Sequence, residues 1–138
     1  MKKYLIIAED DEDDRFLAKE AMNANKSLMD VKFMNDGEQL MEFLQLESNY
    51  EFLPSLFLLD LNMPKLDGRE CLKLIKNNPV LKSIPVVVFT TSNLKEDILS
   101  TYKLGVNSFI NKPVEFEDLK SLFGKLDDYW FGTVKLPA

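Results

Sequence analysis

Five side chains that together support one kind of chemistry stand at the ends of apolar runs in this sequence. They are Glu9, Asp10, Asp60, Thr90 and Lys112. Carboxylates are the oxygen ligands that a hard divalent cation prefers. A carboxylate can also attack phosphorus as a nucleophile, and an ammonium offsets negative charge on the transferred group. If these side chains meet in space, they form a site that accepts a phosphoryl group.

The elements that would position these residues alternate between strand and helix. Short apolar runs bounded by turn signals are typical of buried strands, and they occur at 4–8, 31–34, 55–60, 85–90 and 108–111. Apolar residues at helical spacing predict helices at 13–25, 38–46, 70–77, 94–104 and 116–126. This alternation favours right-handed crossovers onto a largely parallel sheet. Open α/β sheets bind ligands at the carboxyl ends of their strands, so the five side chains are expected to converge there.

Composition excludes several other functions. The 138 residues carry a net charge of -6 and no basic run, which argues against a nucleic-acid-binding surface. The chain has no histidine, so imidazole cannot activate a nucleophile, bind a metal or carry a phosphoryl group. One cysteine, Cys71, forbids an internal disulfide and favours a cytoplasmic location. The apolar run between Lys3 and Glu9 is too short for a signal peptide or a membrane span.

Four segments in order, IIAEDD, LLDLNMPKLDG, FTTS and INKP, resemble the receiver domain of two-component response regulators. The resemblance implies a flavodoxin-like (βα)5 fold, a doubly wound α/β architecture with five parallel strands in the order 2-1-3-4-5. It covers residues 1–126, which we interpret as the receiver domain. Residues 127–138 then form a C-terminal extension.

The resemblance assigns Asp60 as the phospho-acceptor. It implies that Asp10, Asp60 and the main-chain oxygen of Asn62 bind Mg²⁺ or Mn²⁺, and that Glu9 acts through a metal-bound water. Simpler explanations exist for single residues. Asp60 alone would suit a turn after a strand, and acids such as Asp14 in the run 9–14 favour a helix N-terminus whatever their function. We assign the acids at 11–14 to that second role.

The same resemblance gives roles to three further residues. Lys112 would pair with a phosphoryl oxygen, Thr90 would bind the phosphoryl group once it is present, and Phe109 would take the aromatic switch position. Because Phe109 lacks a hydroxyl, its ring is expected to face inward in both states. Thr91 stands where many receivers have a smaller residue, so it narrows access for the phosphodonor. The resemblance also implies a cis bond before Pro113.

The function predicted from these residues is that of a response regulator in a phosphorelay. A histidine kinase or phosphotransfer protein supplies the phosphoryl group, and a conformational change signals to a downstream protein. The chain would not be an enzyme, although it assists its own phosphorylation and dephosphorylation. No room remains after Leu126 for an output domain, so a stand-alone receiver is expected, without nucleic-acid or membrane binding.

Two alternatives come from other classes of protein. A phosphatase or mutase with an aspartyl nucleophile wants a second aspartate two residues later, where this chain has Asn62. A pseudo-receiver would bind partners without turning over phosphate. Thr91 leaves that alternative open, and the full set of site residues speaks against it.

The tail is rich in large apolar residues, with Tyr129, Trp130, Phe131, Val134 and Leu136 in a short stretch. An exposed patch of this kind marks an interaction site. We predict that the tail extends the last helix and supports a homodimer that involves the face at 94–126. The alternative is that the tail packs back on its own domain. The segment WFGTVKLP also resembles tails of small receivers that work with bacteriophytochrome-type kinases.

Overall fold

The computed structural model describes residues 3–27, 29–46 and 51–137. Strands and helices alternate along these residues, and the strands form one parallel sheet in the order β2-β1-β3-β4-β5. The strands are β1 Tyr4–Ala8, β2 Asp30–Met34, β3 Leu56–Leu59, β4 Val86–Thr90 and β5 Ser108–Asn111. The helices are α1 Glu12–Ala24, α2 Gly37–Gln45, α3 Gly68–Asn77, α4 Lys95–Leu104 and α5 Phe116–Gly132. The predicted fold class and strand order are confirmed.

The burial of each strand follows from its place in the sheet. Every residue of β1, β3 and β4 is buried, because these central strands are covered by helices on both faces. The edge strand β2 alternates between more and less exposed residues, and β5 at the other edge is only half-buried. Continuous apolar runs in the sequence therefore mark the centre of the sheet.

The helices cover both faces of the sheet. Residues of α1 and α5, among them Ala21 and Phe123, pack on one face against Leu5 and Leu58. Residues of α2 and α3 pack on the other face, where α4 also contributes partly buried side chains. This double winding leaves the ends of the strands open between the two helical layers.

Carboxylate caps explain why three helices begin before their predicted starts. The Asp11 side chain accepts a hydrogen bond from the Asp14 amide at the start of α1, at 3.0 Å. Asp36 caps α2 and Asp67 caps α3 in the same manner. Apolar periodicity cannot locate a start of this kind, because the first turn of each helix is polar. At the C-terminal end of α4, Gly105 is left-handed with φ 105°, a conformation that glycine adopts readily at this position.

Helix α5 continues through Gly132, well past the predicted inner face that ends at Leu126. Trp130 and Phe131 are partly buried against the core on the α1/α5 face, whereas Tyr129 is 52% exposed. The prediction that the tail extends the last helix is confirmed. The predicted boundary between the receiver domain and the extension, after Leu126, lies within this continuous helix. The outer limits of the two predicted segments, at 1 and 138, lie outside the described residues.

Candidate functional site

The predicted site residues lie together at the carboxyl-terminal end of the sheet. Glu9 and Asp10 follow β1, and Asp60 follows β3. The neighbouring strands are in register, since Ala8 pairs with Leu59. Thr90 ends β4 opposite Asn111, the residue before Lys112. The convergence expected from the strand ends is therefore observed.

Three carboxylates form the centre of this edge. Carboxylate oxygens of Glu9, Asp10 and Asp60 lie within 4.8 Å of one another. Glu9 and Asp60 are only 4% and 6% exposed, while Asp10 is open to solvent. Hard oxygen donors at this spacing, with one open side, suit a small divalent cation that keeps several of its waters.

The main chain next to Asp60 also faces this centre. The Asn62 amide donates a hydrogen bond to Asp60 Oδ1 at 3.2 Å. This bond fixes the turn that follows β3. The predicted role of the Asn62 carbonyl oxygen as a metal ligand stays a prediction.

Lys112 is enclosed by carboxylates. Its Nζ lies 3.0 Å from Asp60 Oδ2 and 3.1 Å from Asp14 Oδ2, and it also donates to Glu9 Oε1. Burial lowers the pKa of Lys112, but the hydrogen bond to Glu9 and the charges of Asp60 and Glu9 outweigh it and hold the pKa above its usual range. Lys112 is therefore a cation at neutral pH.

Burial also changes the pKa of Glu9. Burial, with a smaller effect from the Asp60 charge, raises the pKa of Glu9 to about 7 despite the opposing effect of Lys112. The ammonium thus contacts the carboxylates of Glu9, Asp14 and Asp60, and a fourth carboxylate, Asp10, lies beside Glu9 and Asp60. The excess negative charge is a second reason why this centre suits a cation.

Asp14 and Arg15 also belong to the site, although the sequence pattern does not predict this. Asp14 was assigned with its neighbours to the helix N-terminus, yet its carboxylate contacts Lys112. Arg15 donates from Nη1 to the main-chain oxygen of Glu9 at 3.0 Å. Asp11 caps α1, and Glu12 and Asp13 lie in its first turn, in agreement with that assignment. Helical spacing could not have predicted this contact of Asp14, because α1 begins at Glu12 and Asp10 lies before the helix.

Thr90 and Phe109 occupy the expected places beside the carboxylates. Thr90 is fully buried, and its Oγ1 accepts a hydrogen bond from the Ser92 amide at 3.3 Å. Phe109 is half-buried and packs against the core on the α2/α3 face, in agreement with an inward ring. Thr91 is exposed. Their roles in switching and access stay predictions. The bond before Pro113 is trans, contrary to what the resemblance implied.

The chain belongs to the response regulator receiver family. The model of the response regulator receiver domain matches residues 5–123, which covers every residue of the site. The fold, the acidic centre and the lysine at the end of β5 agree with that assignment. The described residues contain no helix that is both long and apolar enough to cross a membrane.

Similar proteins include regulators of light signalling. Response regulator Rcp1 from Synechocystis sp. is 41% identical over 99% of this chain and 94% of its own length. The crystal structure of its Mn²⁺-bound form superposes with a TM-score of 0.88, covers 99% of each chain and is 40% identical. The phosphorylated cyanobacterial phytochrome response regulator RcpA gives a TM-score of 0.91 at 38% identity over the whole of both chains. The bacteriophytochrome response regulator AtBRR gives 0.74 at 32% identity over 92% of each chain.

Proposed function

We propose that this receiver accepts a phosphoryl group on Asp60 from a sensor histidine kinase or a phosphotransfer protein. The observation that carries the proposal is the contact of 3.0 Å between Lys112 Nζ and Asp60 Oδ2 inside a cluster of carboxylates. This arrangement supports Asp60 as the nucleophile and Lys112 as the positive charge beside it, at the carboxyl-terminal end of the sheet.

The residues of this chain account for the transfer step. A carboxylate oxygen of Asp60 forms a bond to phosphorus, and the bond between phosphorus and the donor breaks with its electron pair leaving on the donor atom. Lys112 then pairs with an oxygen of the transferred group in place of one of its present carboxylate partners. Positioning and charge neutralisation of this kind supply most of the rate in phosphoryl transfer.

A divalent cation completes the site. Asp10 and Asp60, with the carbonyl oxygen of Asn62, would hold Mg²⁺ or Mn²⁺, and Glu9 would act through a water. The Mn²⁺-bound form of the relative Rcp1 supports this proposal. When bound, the cation neutralises negative charge on the phosphoryl oxygens. The same centre, with Thr90 and Lys112, would assist the later hydrolysis that resets Asp60.

The signal would pass through Thr90. In the present structure its hydroxyl accepts from the Ser92 amide, and in the phosphorylated protein it would turn to a phosphoryl oxygen. That movement would draw residues 92–95 toward Asp60 and remodel the face formed by α4 and β5. Phe109 packs beside this face with its ring inward. A population shift of this kind presents a different surface to a downstream protein.

The likeness to phytochrome response regulators supports a phytochrome-type sensor kinase as the donor. Such a partner places the chain in the cytoplasm. We also propose residues 1–126 as the receiver and 127–138 as an extension that supports a homodimer. Within the extension the exposed Tyr129 faces outward and supplies the apolar contact.

Intact mass after incubation with Mg²⁺ and acetyl phosphate tests the proposed function. The wild-type chain is expected to gain one acid-labile phosphoryl group, and EDTA is expected to prevent the gain. Asp60→Asn should gain none, whereas Asp13→Asn, which changes an exposed acid on α1, should behave as wild type. An adduct on Asp60→Asn would refute the assignment. Catalytic release of phosphate would indicate a phosphatase, and an unmodified wild type would indicate a pseudo-receiver.

A further inference from the structure

A polar triad around the buried Asp97 joins α3 to the loop after β4. Arg69, in the first turn of α3, donates to Asp97 Oδ1 from Nε at 3.2 Å and from Nη2 at 2.7 Å. The Ser92 hydroxyl donates to the other oxygen, Asp97 Oδ2, at 2.6 Å. Asp97 lies in the first turn of α4 and is 7% exposed. Both oxygens of a buried carboxylate are therefore held by partners on two other segments.

The triad is built more strongly than a surface ion pair. Two nitrogens of Arg69 donate to the same oxygen, Asp97 Oδ1, while Ser92 occupies Oδ2, so three charge-assisted hydrogen bonds orient the carboxylate. The hydrogen bonds from Ser92 and Arg69 hold the pKa of Asp97 below its usual value. Asp97 stays ionised at neutral pH, so the bonds persist under working conditions. An exposed pair on the same helix, Glu70 with Lys73 at 3.4 Å, offers a natural contrast.

Ser92 links the triad to the acceptor site through its main chain. Its amide donates to Thr90 Oγ1 at 3.3 Å, and its carbonyl accepts a hydrogen bond from the Asn111 side chain, next to Lys112. Only one residue separates Ser92 from Thr90 along the chain. A shift of the Thr90 hydroxyl toward Asp60 would break its bond to the Ser92 amide, which lies in the segment that Asp97 holds.

We propose that Ser92 and Asp97, braced by Arg69, are positioning residues that hold Thr90 in its resting place and thereby limit phosphorylation of Asp60. The proposal rests on the proposed function of Asp60. Because the triad fixes Ser92 while the Ser92 amide donates to the Thr90 hydroxyl, loss of the triad favours the conformation in which Thr90 is free to move. The triad thus sets the balance between the two states without touching the reacting atoms.

Two variants remove the triad and two serve as comparisons. Ser92→Ala deletes the hydroxyl, and Asp97→Asn keeps the shape of the side chain while it removes the charge. Ser92→Thr restores a hydroxyl and should return the wild-type behaviour. Glu70→Gln breaks the exposed pair on α3 and leaves the loop untouched.

Amide hydrogen exchange of the unphosphorylated full chain tests the restraint itself. Exchange at residues 91–95 should quicken in Ser92→Ala and Asp97→Asn, with strands β1 and β3 unchanged, and Glu70→Gln should match wild type. Unchanged exchange at 91–95 in both triad variants would overturn the proposal. A uniform rise across the sheet would also overturn it, because that result describes general destabilisation.

Phosphorylation by acetyl phosphate with Mg²⁺ tests the consequence. Ser92→Ala should raise the initial rate of adduct formation roughly fivefold, the low end of coupling between linked sites. The Mg²⁺ dissociation constant should stay at the wild-type value, and Ser92→Thr should reverse the gain. An unchanged or reduced rate refutes the positioning role while wild-type phosphorylation upholds the function of Asp60. If the wild type gains no adduct, the proposed function fails, and exchange at 91–95 alone decides whether the triad restrains the loop.

Discussion

Asp10 and Asp60 hold like charges close together, and Glu9 adds to them as it ionises near pH 7, although like charges repel. Lys112 offsets part of this repulsion through its contacts with Glu9, Asp14 and Asp60. The remainder is unfavourable in the metal-free protein. Sites that sacrifice stability in this way are typical of function, because selection keeps the charges for the ligand.

Asp10→Asn should therefore stabilise the protein and impair it together. In EDTA the midpoint of thermal unfolding should rise by a few degrees, since one of the repelling charges is gone. In Mg²⁺ the cation should bind more weakly and acetyl phosphate should modify Asp60 more slowly. Thermal unfolding with and without Mg²⁺ measures both effects. Asp13→Asn, an equal change on the exposed side of α1, is the control. A lower midpoint in EDTA would contradict the repulsion.

Cys71 is a titratable residue that takes no part in the phospho-acceptor site. It is fully buried, and burial, with help from the charges of Asp67 and Asp36, raises the pKa of its thiol to about 12. The folded state therefore keeps a proton that the unfolded chain loses near pH 8.5. We expect very slow alkylation of the native protein at pH 8, and rapid alkylation in denaturant.

The same shift makes stability depend on pH in a known direction. The contribution of Cys71 to the free energy of unfolding is constant below about pH 8.5. Above that pH the free energy of unfolding falls by about 1.4 kcal/mol for each pH unit, up to the pKa of the folded state. Urea unfolding of wild type and Cys71→Ala at pH 7 and pH 9.5 measures the difference. The variant should lose less stability between the two pH values. Equal losses in both proteins would show that the thiol titrates alike in both states.

At the scale of elements, the start of α3 is packed directly against the end of β3. The Gly68 amide donates to the Leu61 carbonyl at 2.9 Å, and a Cβ on Gly68 would lie 2.1 Å from the Asp60 carbonyl oxygen. No side chain fits this distance without movement of the backbone. The glycine therefore serves to bring the helix close to the acceptor residue.

Gly68→Ala should destabilise the fold and displace Asp60. Overpacking of this kind costs about 1–3 kcal/mol, which chemical denaturation can resolve. The rate of modification by acetyl phosphate should also fall, because the displaced backbone carries the nucleophile. Gly132→Ala is the matched control, since its Cβ would come no closer than 4.0 Å to Asp127 O. A Gly68→Ala variant with wild-type stability would contradict this packing.

At the scale of the whole molecule, several large apolar side chains remain exposed on α4 and at the end of α5. Leu94 and Leu99 are each 58% exposed, Tyr102 47% and Tyr129 52%. Trp130 and Phe131, in contrast, pack in part on their own core. Two aromatic residues of the tail thus pack on the core of their own chain, whereas the ring of Tyr129 is exposed and available for contact with a second chain.

We expect the full chain to sediment as a dimer at tens of micromolar. Tyr129→Glu should shift it toward monomer, because a buried charge at an apolar contact is costly. A chain truncated after Asp127 should also be monomeric. Phe16→Glu alters an equally exposed ring on α1, outside the predicted face, and should leave the dimer intact. A wild type that is monomeric with and without phosphorylation would rule out the predicted dimer.

Local sequence pattern was sufficient for the strands and for the convergence of the principal site residues, whereas the strand order was implied by the family resemblance. Buried runs such as 4–8 and 86–90 identify central strands, and the residues that follow parallel strands must share one edge. The sequence alone therefore predicts that Glu9, Asp60 and Lys112 lie close together. The left-handed Gly105 was predictable for the same local reason, since it depends on the end of one helix.

Contacts between side chains on different elements were decided only by the tertiary structure. Asp14 meets Lys112 across 98 positions of sequence, and Arg69 meets Asp97 across 28. Periodicity tells which face of a helix is apolar, but the meeting of two polar side chains depends on how their helices sit on the sheet. The position of Trp130 on the core depends likewise on the direction of α5. The sequence by itself therefore determined the fold and the members of the acidic centre, whereas packing decided which further residues restrain them.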